Sequence, residues 1–348
     1  MNLTVALLLR AVLFLAALLL LTFGYLVVRK VFENFKAKRI AEMKETYMQP
    51  VYGYIRTGNE SRMVHFNGGR WKEEAIEEIL LQCSRLFRDE ETGDRIREYA
   101  ELHLMRRYAK RLSSRLWSHR VNTLHRLERF DLKSSAPVLT DMYLLPRTTM
   151  QEKYAILKLL ACWGVEGTVD LLGRLDGKLP DFEQRLILSR MSDRLFRQTV
   201  LRLGELPVSW RYTAIDVIGL FRRTEYGPEL DGFADSADGE TRVRALKALS
   251  QFDVIRPKKE YLIHAAAESW QERMMAAKLF GAIRNRQFED VLVGLMGDPV
   301  WFVRSQAAQS LASYPQGAEV LRETAASSDD RFAREMALEW LERGGDRG

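Results

Sequence analysis

Cysteine and histidine are scarce in this sequence, and their scarcity limits the kinds of site it can contain. The 348 residues include two cysteines, Cys83 and Cys162, and five histidines. The two thiols lie far apart on separate predicted helices, so they have neither the short spacing of a metal-binding pair nor the density of a disulfide scaffold. We therefore expect no structural zinc site and no disulfide framework, and we interpret Cys162 as buried and inert.

The common catalytic motifs are also missing. The sequence contains no Gly-Lys-Ser/Thr phosphate-binding loop, no Gly-x-Ser-x-Gly nucleophile turn and no Gly-x-Gly-x-x-Gly dinucleotide fingerprint. Hydrophobic residues make up 47% of the chain and charged residues 29%, which is typical of a folded protein and not of a disordered one. We predict that the protein is not an enzyme, with no catalytic, cofactor-binding or metal-binding residues and no cofactor.

The longest hydrophobic run lies at the N-terminus. Residues 11–28 contain no charge, and the apolar stretch extends back to Leu3 with Arg10 as its one interruption. At about 1.5 Å per residue, a helix of this length crosses a hydrocarbon core of roughly 30 Å. The alternative is a cleaved signal peptide, but residues 25–28 are bulky where a signal peptidase requires small side chains. We predict a single uncleaved transmembrane helix over about residues 5–28.

Positive charge is concentrated beside this run. The net charge is +6, and residues 29–130 carry 22 lysines and arginines against 15 acidic residues, whereas residues 131–348 are slightly acidic. Basic residues next to a membrane span favour the cytoplasmic side, and near the surface they attract anionic lipid. We predict an inner-membrane location with the N-terminus outside and the C-terminal region in the cytoplasm. We also predict contact between anionic lipid headgroups and residues 29–44.

Turn-forming residues and charge divide the sequence into four predicted regions. Residues 1–30 form the transmembrane anchor, and residues 31–70 form a juxtamembrane helix and linker, in which the helix ends before Pro50. Residues 71–132 form a basic helical region, and residues 133–348 form an array of helix pairs.

The strongest charge run lies in the third region. A helix is predicted to begin at Asp94, after Thr92-Gly93, and to continue to Phe130 with at most a bend. The stretch 106–129 carries eight basic residues against a single acid. Such a face is typical of contact with lipid headgroups, nucleic acid or an acidic partner, but interleaved leucines are also typical of an ordinary solvated helix with a core stripe. The candidate contact residues are Arg106, Arg107, Lys110, Arg111, Arg115 and Arg120.

A short phrase recurs about every 31 residues in the C-terminal half. Each copy has an arginine followed three residues later by an alanine, and these residues are predicted to be structural: Arg242 and Ala245, Arg273 and Ala276, Arg304 and Ala307, Arg334 and Ala337. A weaker copy begins at Arg211, 31 residues before Arg242, and more divergent copies begin at Arg120, Lys153 and Arg185. A fixed period of this size indicates stacked units, none of which buries its apolar face alone. We predict that the alanines permit close helix approach. Each arginine is predicted to tie adjacent repeats through backbone carbonyls or through carboxylates such as Asp238, Asp298 and Asp330.

The phrase resembles the core of a HEAT repeat in its short bacterial form. The segment Asp298-Pro-Val-Trp-Phe-Val-Arg304-Ser-Gln-Ala307-Ala308-Gln-Ser-Leu311 shows this resemblance most clearly, and residues 238–249 are similar. The resemblance covers about residues 136–343 and is strongest from Trp210 onward. It implies an all-α fold, an α-solenoid of stacked helix pairs with a concave protein-binding face, preceded here by a single transmembrane helix and a helical neck.

Enzymes built on HEAT-like folds have motifs that this sequence lacks. The di-iron hydroxylases carry paired His-Glu dipeptides, and no His-Glu dipeptide occurs here; His264 with Glu268 is the nearest approach to a metal pair. Bilin lyases also carry short HEAT-like repeats, but no residue pattern in this sequence indicates their tetrapyrrole-binding pocket. HEAT-like DNA glycosylases use a basic concave surface, whereas this array is slightly acidic, so nucleic acid is not an expected partner. Four tryptophans are predicted to cap the core between layers: Trp210, Trp270, Trp301 and Trp340.

Together these patterns predict a membrane-anchored HEAT-repeat scaffold or adaptor. It would bind a protein partner at the cytoplasmic face of the membrane, for example in an envelope or glycan-synthesis assembly. Two alternatives stay open. One is a HEAT-fold enzyme subunit or maturation factor related to the lyases, and the other is a binder of nucleic acid or anionic lipid through residues 106–129. The oligomeric state does not follow from the sequence.

Overall fold

The computed structural model describes residues 2–59, 69–87, 89–175 and 179–345, and every regular element in this part of the chain is helical. Residues 1–156 and residues 157–348 form two compact units. The α helices are α1 (Asn2–Thr57), α2 (Arg70–Leu86), α3 (Glu90–Leu112), α4 (Trp117–Phe130), α5 (Ala136–Leu144), α6 (Met150–Cys162), α7 (Thr168–Gly173), α8 (Asp181–Ser189), α9 (Asp193–Leu201), α10 (Val208–Leu220), α11 (Gly227–Ala234), α12 (Gly239–Leu249), α13 (Trp270–Ile283), α14 (Glu289–Leu295), α15 (Trp301–Ala312), α16 (Gly317–Ser327) and α17 (Arg331–Gly345). Short 3₁₀ helices are Lys133–Ser135, Thr224–Tyr226, Lys259–Ala266 and Arg286–Phe288.

The first helix, α1, is longer than the sequence predicts. The expected end before Pro50 was wrong, because α1 continues through Pro50 to Thr57. A proline inside a helix costs about 3 kcal/mol. The turn that follows it buries Val51, Tyr54 and Ile55 to 3% exposure or less. Burial of one aliphatic side chain contributes about 1.5–3 kcal/mol, so packing of this turn offsets the cost of the proline.

The end of α1 is fixed by one glycine and one arginine. Gly58 has a φ of +66°, the left-handed conformation that commonly follows a helix, and its amide donates to the Tyr54 carbonyl at 2.7 Å. Arg95 of α3 donates to two carbonyl oxygens of the last turn, at 3.0 and 2.9 Å. These bonds satisfy carbonyls that a helix end leaves free, so the last turn of α1 is tied to α3. The predicted linker followed Pro50 up to Arg70, and its residues 60–68 lie outside the described residues.

Helix α3 begins four residues earlier than predicted. Its first residue is Glu90 and not Asp94, because the carboxylate of Asp89 accepts the Thr92 amide at 2.8 Å and caps the helix start. Thr92 and Gly93 therefore lie in the first turn of α3 and do not interrupt the helix.

A break that the sequence does not predict separates α3 from α4. The expected continuation to Phe130 was wrong, since α3 ends at Leu112 and α4 begins at Trp117. Ser113 donates its hydroxyl to two carbonyl oxygens in the last turn of α3, at 3.2 and 3.0 Å, and the hydroxyl of Ser114 accepts an amide two residues later at 3.2 Å. Local hydrogen bonds from serine side chains thus replace helical ones.

In the C-terminal unit, short first elements alternate with longer second helices, which are α10, α12, α13, α15 and α17. Each second helix packs against the next one in the series. The first element at residues 262–266 belongs to the 3₁₀ helix Lys259–Ala266 and is not an α helix.

Small residues set the spacing of the second helices. A Cβ atom added to Gly281 of α13 would lie 2.8 Å from the Cα of Ser310 in α15, and one added to Gly219 of α10 would lie 2.8 Å from the Cα of Ala248 in α12. Contacts this short do not occur between real side chains, so the helices approach closely because these side chains are absent. The four repeat alanines are all 0% exposed: Ala245, Ala276, Ala307 and Ala337.

Candidate functional site

Glutamates of α2 neutralise much of the predicted basic face. The side chain of Arg107 is 11% exposed, and its guanidinium lies 3.5 Å from the Glu77 carboxylate and 3.9 Å from those of two neighbouring glutamates. Arg111 and Arg126 lie 3.5 and 3.2 Å from the same Glu77 carboxylate. Burial lowers the pKa of Arg107 even though the carboxylates beside it act in the opposite direction. These charges are held inside the N-terminal unit.

Arg120 is not part of an exposed face, contrary to expectation. It is 6% exposed, and its Nε donates to Oε1 of Glu152 at 2.6 Å. Its Nη1 donates to the carbonyl oxygens of Ser114 and Arg115 at 2.9 and 3.2 Å. Burial by itself raises the pKa of Glu152, but hydrogen bonds from Arg120 and Thr149 lower it overall. Arg120 is therefore a structural residue.

Three of the six candidate contact residues stay exposed, namely Arg106, Lys110 and Arg115. None of the three has a carboxylate within 4.0 Å in the described ranges of the chain. Arg106 and Lys110 lie one turn apart on α3, beside Leu102, which is 65% exposed. The basic stripe is thus about half as large as the sequence predicts.

The structure also revises the interpretation of the thiols and of His264. Cys162 is exposed, so its prediction as a buried residue was wrong, whereas Cys83 is buried and burial raises the pKa of its thiol. His264 is 2% exposed, and its Nδ1 lies 2.8 Å from Oε1 of Glu272 and does not pair with Glu268. The residues that the structure describes contain no group of three or more side chains able to hold a metal ion.

The N-terminal part of α1 presents a continuous apolar surface. The large apolar side chains from Leu7 to Val28 are 45–72% exposed. The most apolar stretch of this helix has a mean hydropathy of 2.7 and is 0% buried within the described chain. Its length and composition make α1 a candidate membrane span, although a signal sequence passes the same test.

Acidic side chains pair with most of the basic residues that follow this surface. Lys36 forms an ion pair with Glu74 of α2, and a second lysine–glutamate pair between α1 and α2, at 3.2 Å, lies two turns further on. Arg29 and Arg39 pair with glutamates within α1. The predicted lipid-contact segment, residues 29–44, is therefore partly neutralised, and its pairs hold α2 beside α1.

The repeat arginines share one hydrogen-bond geometry. In each, Nη1 donates to the two carbonyl oxygens five and six residues earlier in the chain. On the other edge of the guanidinium group, Nε of Arg242 lies 3.0 Å from each carboxylate oxygen of Glu272 in the next repeat. The corresponding edge of Arg273 binds Asp298 at 2.6 and 3.0 Å. Arg120 also donates to the carbonyl oxygens five and six residues earlier and binds a carboxylate, that of Glu152, so the same set of bonds occurs in the N-terminal unit.

The carboxylates in this pattern differ from those predicted. Among the described residues, Asp298 alone of the three expected acids binds a repeat arginine. Asp238 and Asp330 instead cap α12 and α17 by accepting backbone amides at 3.1 and 2.9 Å. Sequence reasoning missed Glu272 and Glu152. The sequence feature that could have identified these two glutamates is their position, since each stands directly before the first residue of the following repeat phrase.

The last two repeat arginines lack a carboxylate. The guanidinium carbon of Arg304 lies 4.5 Å from the ring centre of Phe332, and Ala333 stands at the position that Glu272 has in its repeat. Arg334 donates to its two carbonyl oxygens at 2.6 and 3.1 Å. Within the described chain neither arginine has a carboxylate within 4.0 Å, and both are partly exposed. Each therefore presents an unfilled guanidinium edge.

Exposed aromatic side chains lie on the same helices as these two arginines. Trp270 stacks on Phe302 with ring centres 5.5 Å apart, and Trp301 packs edge-on against Phe302 at 5.4 Å. Trp301, Phe302 and Phe332 are 46%, 56% and 47% exposed. The prediction that tryptophans cap the core is confirmed for Trp210, which is 1% exposed, and was wrong for Trp301.

The comparison with protein families agrees with this architecture. Residues 259–342 match the family described as HEAT repeats. This stretch contains the phrases that begin at Arg273, Arg304 and Arg334. This segment of an all-helical described chain is therefore similar to HEAT repeats, a family that generally mediates protein–protein interactions. No curated protein matches the sequence.

Two solved structures of engineered proteins from the Northeast Structural Genomics Consortium show a distant similarity. The first is 14% identical, covers 89% of this chain and 95% of its own, and has a TM-score of 0.37. The second is 16% identical, covers 87% and 98%, and has a TM-score of 0.18. These TM-scores are too low for either structure to bear on the fold or the function.

Proposed function

We propose that the protein is a membrane-anchored scaffold whose HEAT repeats bind a protein partner beside the membrane. The observation that carries the proposal is the exposed apolar surface of α1, residues 7–28, on the same chain as the repeats. Water is an unfavourable environment for this surface, and a helix satisfies its own backbone hydrogen bonds inside a bilayer. Anchoring would confine the repeats to the membrane surface and raise their effective concentration near membrane partners.

The proposed orientation has the N-terminus outside and the repeats in the cytoplasm, at the inner membrane of a bacterial cell. Its support is the excess of basic residues on the C-terminal side of the apolar run. Lys30 and Lys38 have no acidic partner within 4.0 Å among the described residues. They are the residues of this segment best placed to attract anionic headgroups.

In the proposed role, the protein binds a partner and catalyses no reaction. Because Glu77 neutralises Arg107 and Arg111, the basic region has less free charge for phosphates than its sequence indicates. This favours a protein partner over nucleic acid. An envelope or glycan-synthesis assembly is the kind of membrane machinery that such a scaffold would serve.

Crosslinking of the full-length protein in membranes, followed by purification, tests the proposal. A reproducible protein partner is expected. The pair Leu18→Lys and Leu19→Lys should release the protein from membranes, since a lysine at the centre of a span costs roughly 2.5–3.5 kcal/mol. Partner capture should be lost with it. The matched pair Leu18→Ala and Leu19→Ala should preserve both properties. Failure of the unaltered protein to capture any partner, or equal capture by the lysine variant, contradicts the proposal.

A further inference from the structure

We propose that the last two described repeats, which carry Arg304 and Arg334, bind an acidic, proline-containing segment of the partner protein in the polyproline II conformation. The site comprises Arg304, Arg334, Trp301, Phe302 and Phe332, which we refer to as the terminal site. This inference rests on the proposed function, because it names the surface and the chemistry through which the scaffold would hold its partner.

The chain itself shows which ligand such an arginine takes. The edges of Arg242 and Arg273 that face the next repeat each bind a carboxylate, supplied by Glu272 and Asp298. Arg304 and Arg334 have the same two carbonyl bonds through Nη1, so their guanidinium groups are held in the same way. An arginine already fixed in its binding orientation loses little freedom when a ligand arrives. The expected ligand group at each edge is therefore a carboxylate.

The spacing of the two arginines sets the spacing of the acids. Arg304 and Arg334 occupy equivalent positions on α15 and α17, which are neighbouring second helices. Packed helices lie about 8–10 Å apart. A polyproline II chain has three residues per turn and rises about 3.1 Å per residue, so residues i and i+3 lie on one face about 9 Å apart. Two acidic residues separated by two others would reach both arginines.

The exposed rings account for the residues between the acids. Trp301, Phe302 and Phe332 present about half of their surface to solvent; Trp301 precedes Arg304 by one turn of α15, and the Phe332 ring lies 4.5 Å from the Arg304 guanidinium carbon. Aromatic surfaces of this kind bind proline-rich segments, because the polyproline II conformation is already extended before binding. A core of the form acid, proline, apolar residue, acid satisfies the charge and the rings together.

Peptide binding to the full-length protein in detergent micelles tests the site. The probe is a fluorescein-labelled peptide, Gly-Ser-Glu-Pro-Leu-Glu-Pro-Ser-Gly, and the readout is fluorescence polarisation. Saturable binding that weakens with added salt is expected. A control peptide with glutamine in place of both glutamates keeps the shape and removes the charge, and it should bind about tenfold or more weakly. Equal binding of the two peptides, or no binding of the acidic one, overturns the proposal.

Variants of the protein distinguish the site from a general effect on folding. Arg304→Gln and Arg334→Gln should each weaken peptide binding by about tenfold, but each also removes bonds to backbone carbonyls. Phe332→Glu avoids that problem, because it places a carboxylate beside the Arg304 guanidinium, where the Phe332 ring lies, and leaves the carbonyl bonds intact. It should leave the melting temperature unchanged or higher while peptide binding falls. Arg322→Gln, an exposed position on α16, should leave binding unchanged. Unchanged affinity in Phe332→Glu contradicts the site.

The same variant separates this inference from the scaffold role. If Phe332→Glu is retained in membranes but no longer captures the crosslinked partner, the partner binds at the terminal site. If Phe332→Glu captures the partner as well as the unaltered protein does, the terminal site is refuted and the scaffold proposal stands. If the unaltered protein captures no partner, the scaffold proposal itself is contradicted.

Discussion

A single arginine position explains how neighbouring repeats are joined. Arg242 binds two carbonyl oxygens of its own repeat and the Glu272 carboxylate of the next, and Glu272 also pairs with His264. Burial raises the pKa of Glu272, but the hydrogen bonds from Arg242 and His264 outweigh burial and lower it overall. This carboxylate therefore stabilises the folded protein in its ionised form.

Replacement of this carboxylate should be costly. Glu272→Gln leaves the buried guanidinium edge and the imidazole without their anionic partner, and removal of one member of a buried pair costs about 3–5 kcal/mol. Because the side chain of Arg242 is 27% exposed, we expect the lower end of that range, about 3 kcal/mol. Urea denaturation measures the change in the free energy of unfolding. Glu268→Gln, at an exposed site, should change it by about 0.5 kcal/mol or less, and equal effects of the two substitutions would refute this role of Glu272.

The direction of the pKa shift gives a pH dependence. The pKa of Glu272 is lowered from the usual value near 4.5. Its contribution to stability is thus fully present above that pH and is lost as the pH falls through the folded-state pKa. Thermal melting at neutral and acidic pH should show the gap between the unaltered protein and Glu272→Gln narrowing in acid. A gap that stays constant or widens in acid would show that the carboxylate charge does not carry the effect.

Among the helices, those carrying the repeat phrase were the most predictable. The phrase beginning at Arg304 lies on α15, as its period indicates. The helices near the N-terminus were less predictable, because tertiary packing overrides local signals there. Pro50 does not end α1 since the turn after it is buried, and the break at Ser113 depends on side-chain hydrogen bonds that periodicity does not reveal.

The close approach of second helices can be tested with two glycines. In Gly281→Ala, the new Cβ would lie 2.6 Å from the Cβ of Ser310. The helices must move apart, at a cost of about 1–3 kcal/mol. Gly294→Ala is the matched control, because nothing lies within 4 Å of its Cβ position, and it should be neutral or stabilising by up to about 1 kcal/mol. Calorimetric melting of both variants measures this difference.

A double substitution checks that the effect of Gly281→Ala comes from the named contact. Ser310→Gly added to Gly281→Ala removes the opposing side chain and should recover part of the lost stability. If the stability change of the double variant, relative to the unaltered protein, equals the sum of the changes in the two single variants, the two positions are not coupled and the packing explanation fails.

For the protein as a whole, the sequence indicated the repeated helices, with their similarity to HEAT repeats over residues 259–342, and the apolar N-terminal run, but it did not indicate which charges are free of ion pairs. The basic face was overestimated because α2 supplies Glu77 to Arg107 and Arg111, and the repeat pattern placed Arg120 without showing its burial. The terminal site was missed for a related reason. The period locates every repeat arginine, but only packing shows which of them lack a carboxylate.

The attachment and orientation of the full-length protein can be measured through its own thiols. Cys162 is exposed and Cys83 is buried, so a membrane-impermeant maleimide should label Cys162 in the folded protein, and Cys162→Ser should remove the label. The protein should stay with bacterial membranes after an alkaline carbonate wash, and labelling should require lysis of sealed spheroplasts. Release by carbonate, or labelling of Cys162 in sealed spheroplasts, would contradict a scaffold anchored at the cytoplasmic face.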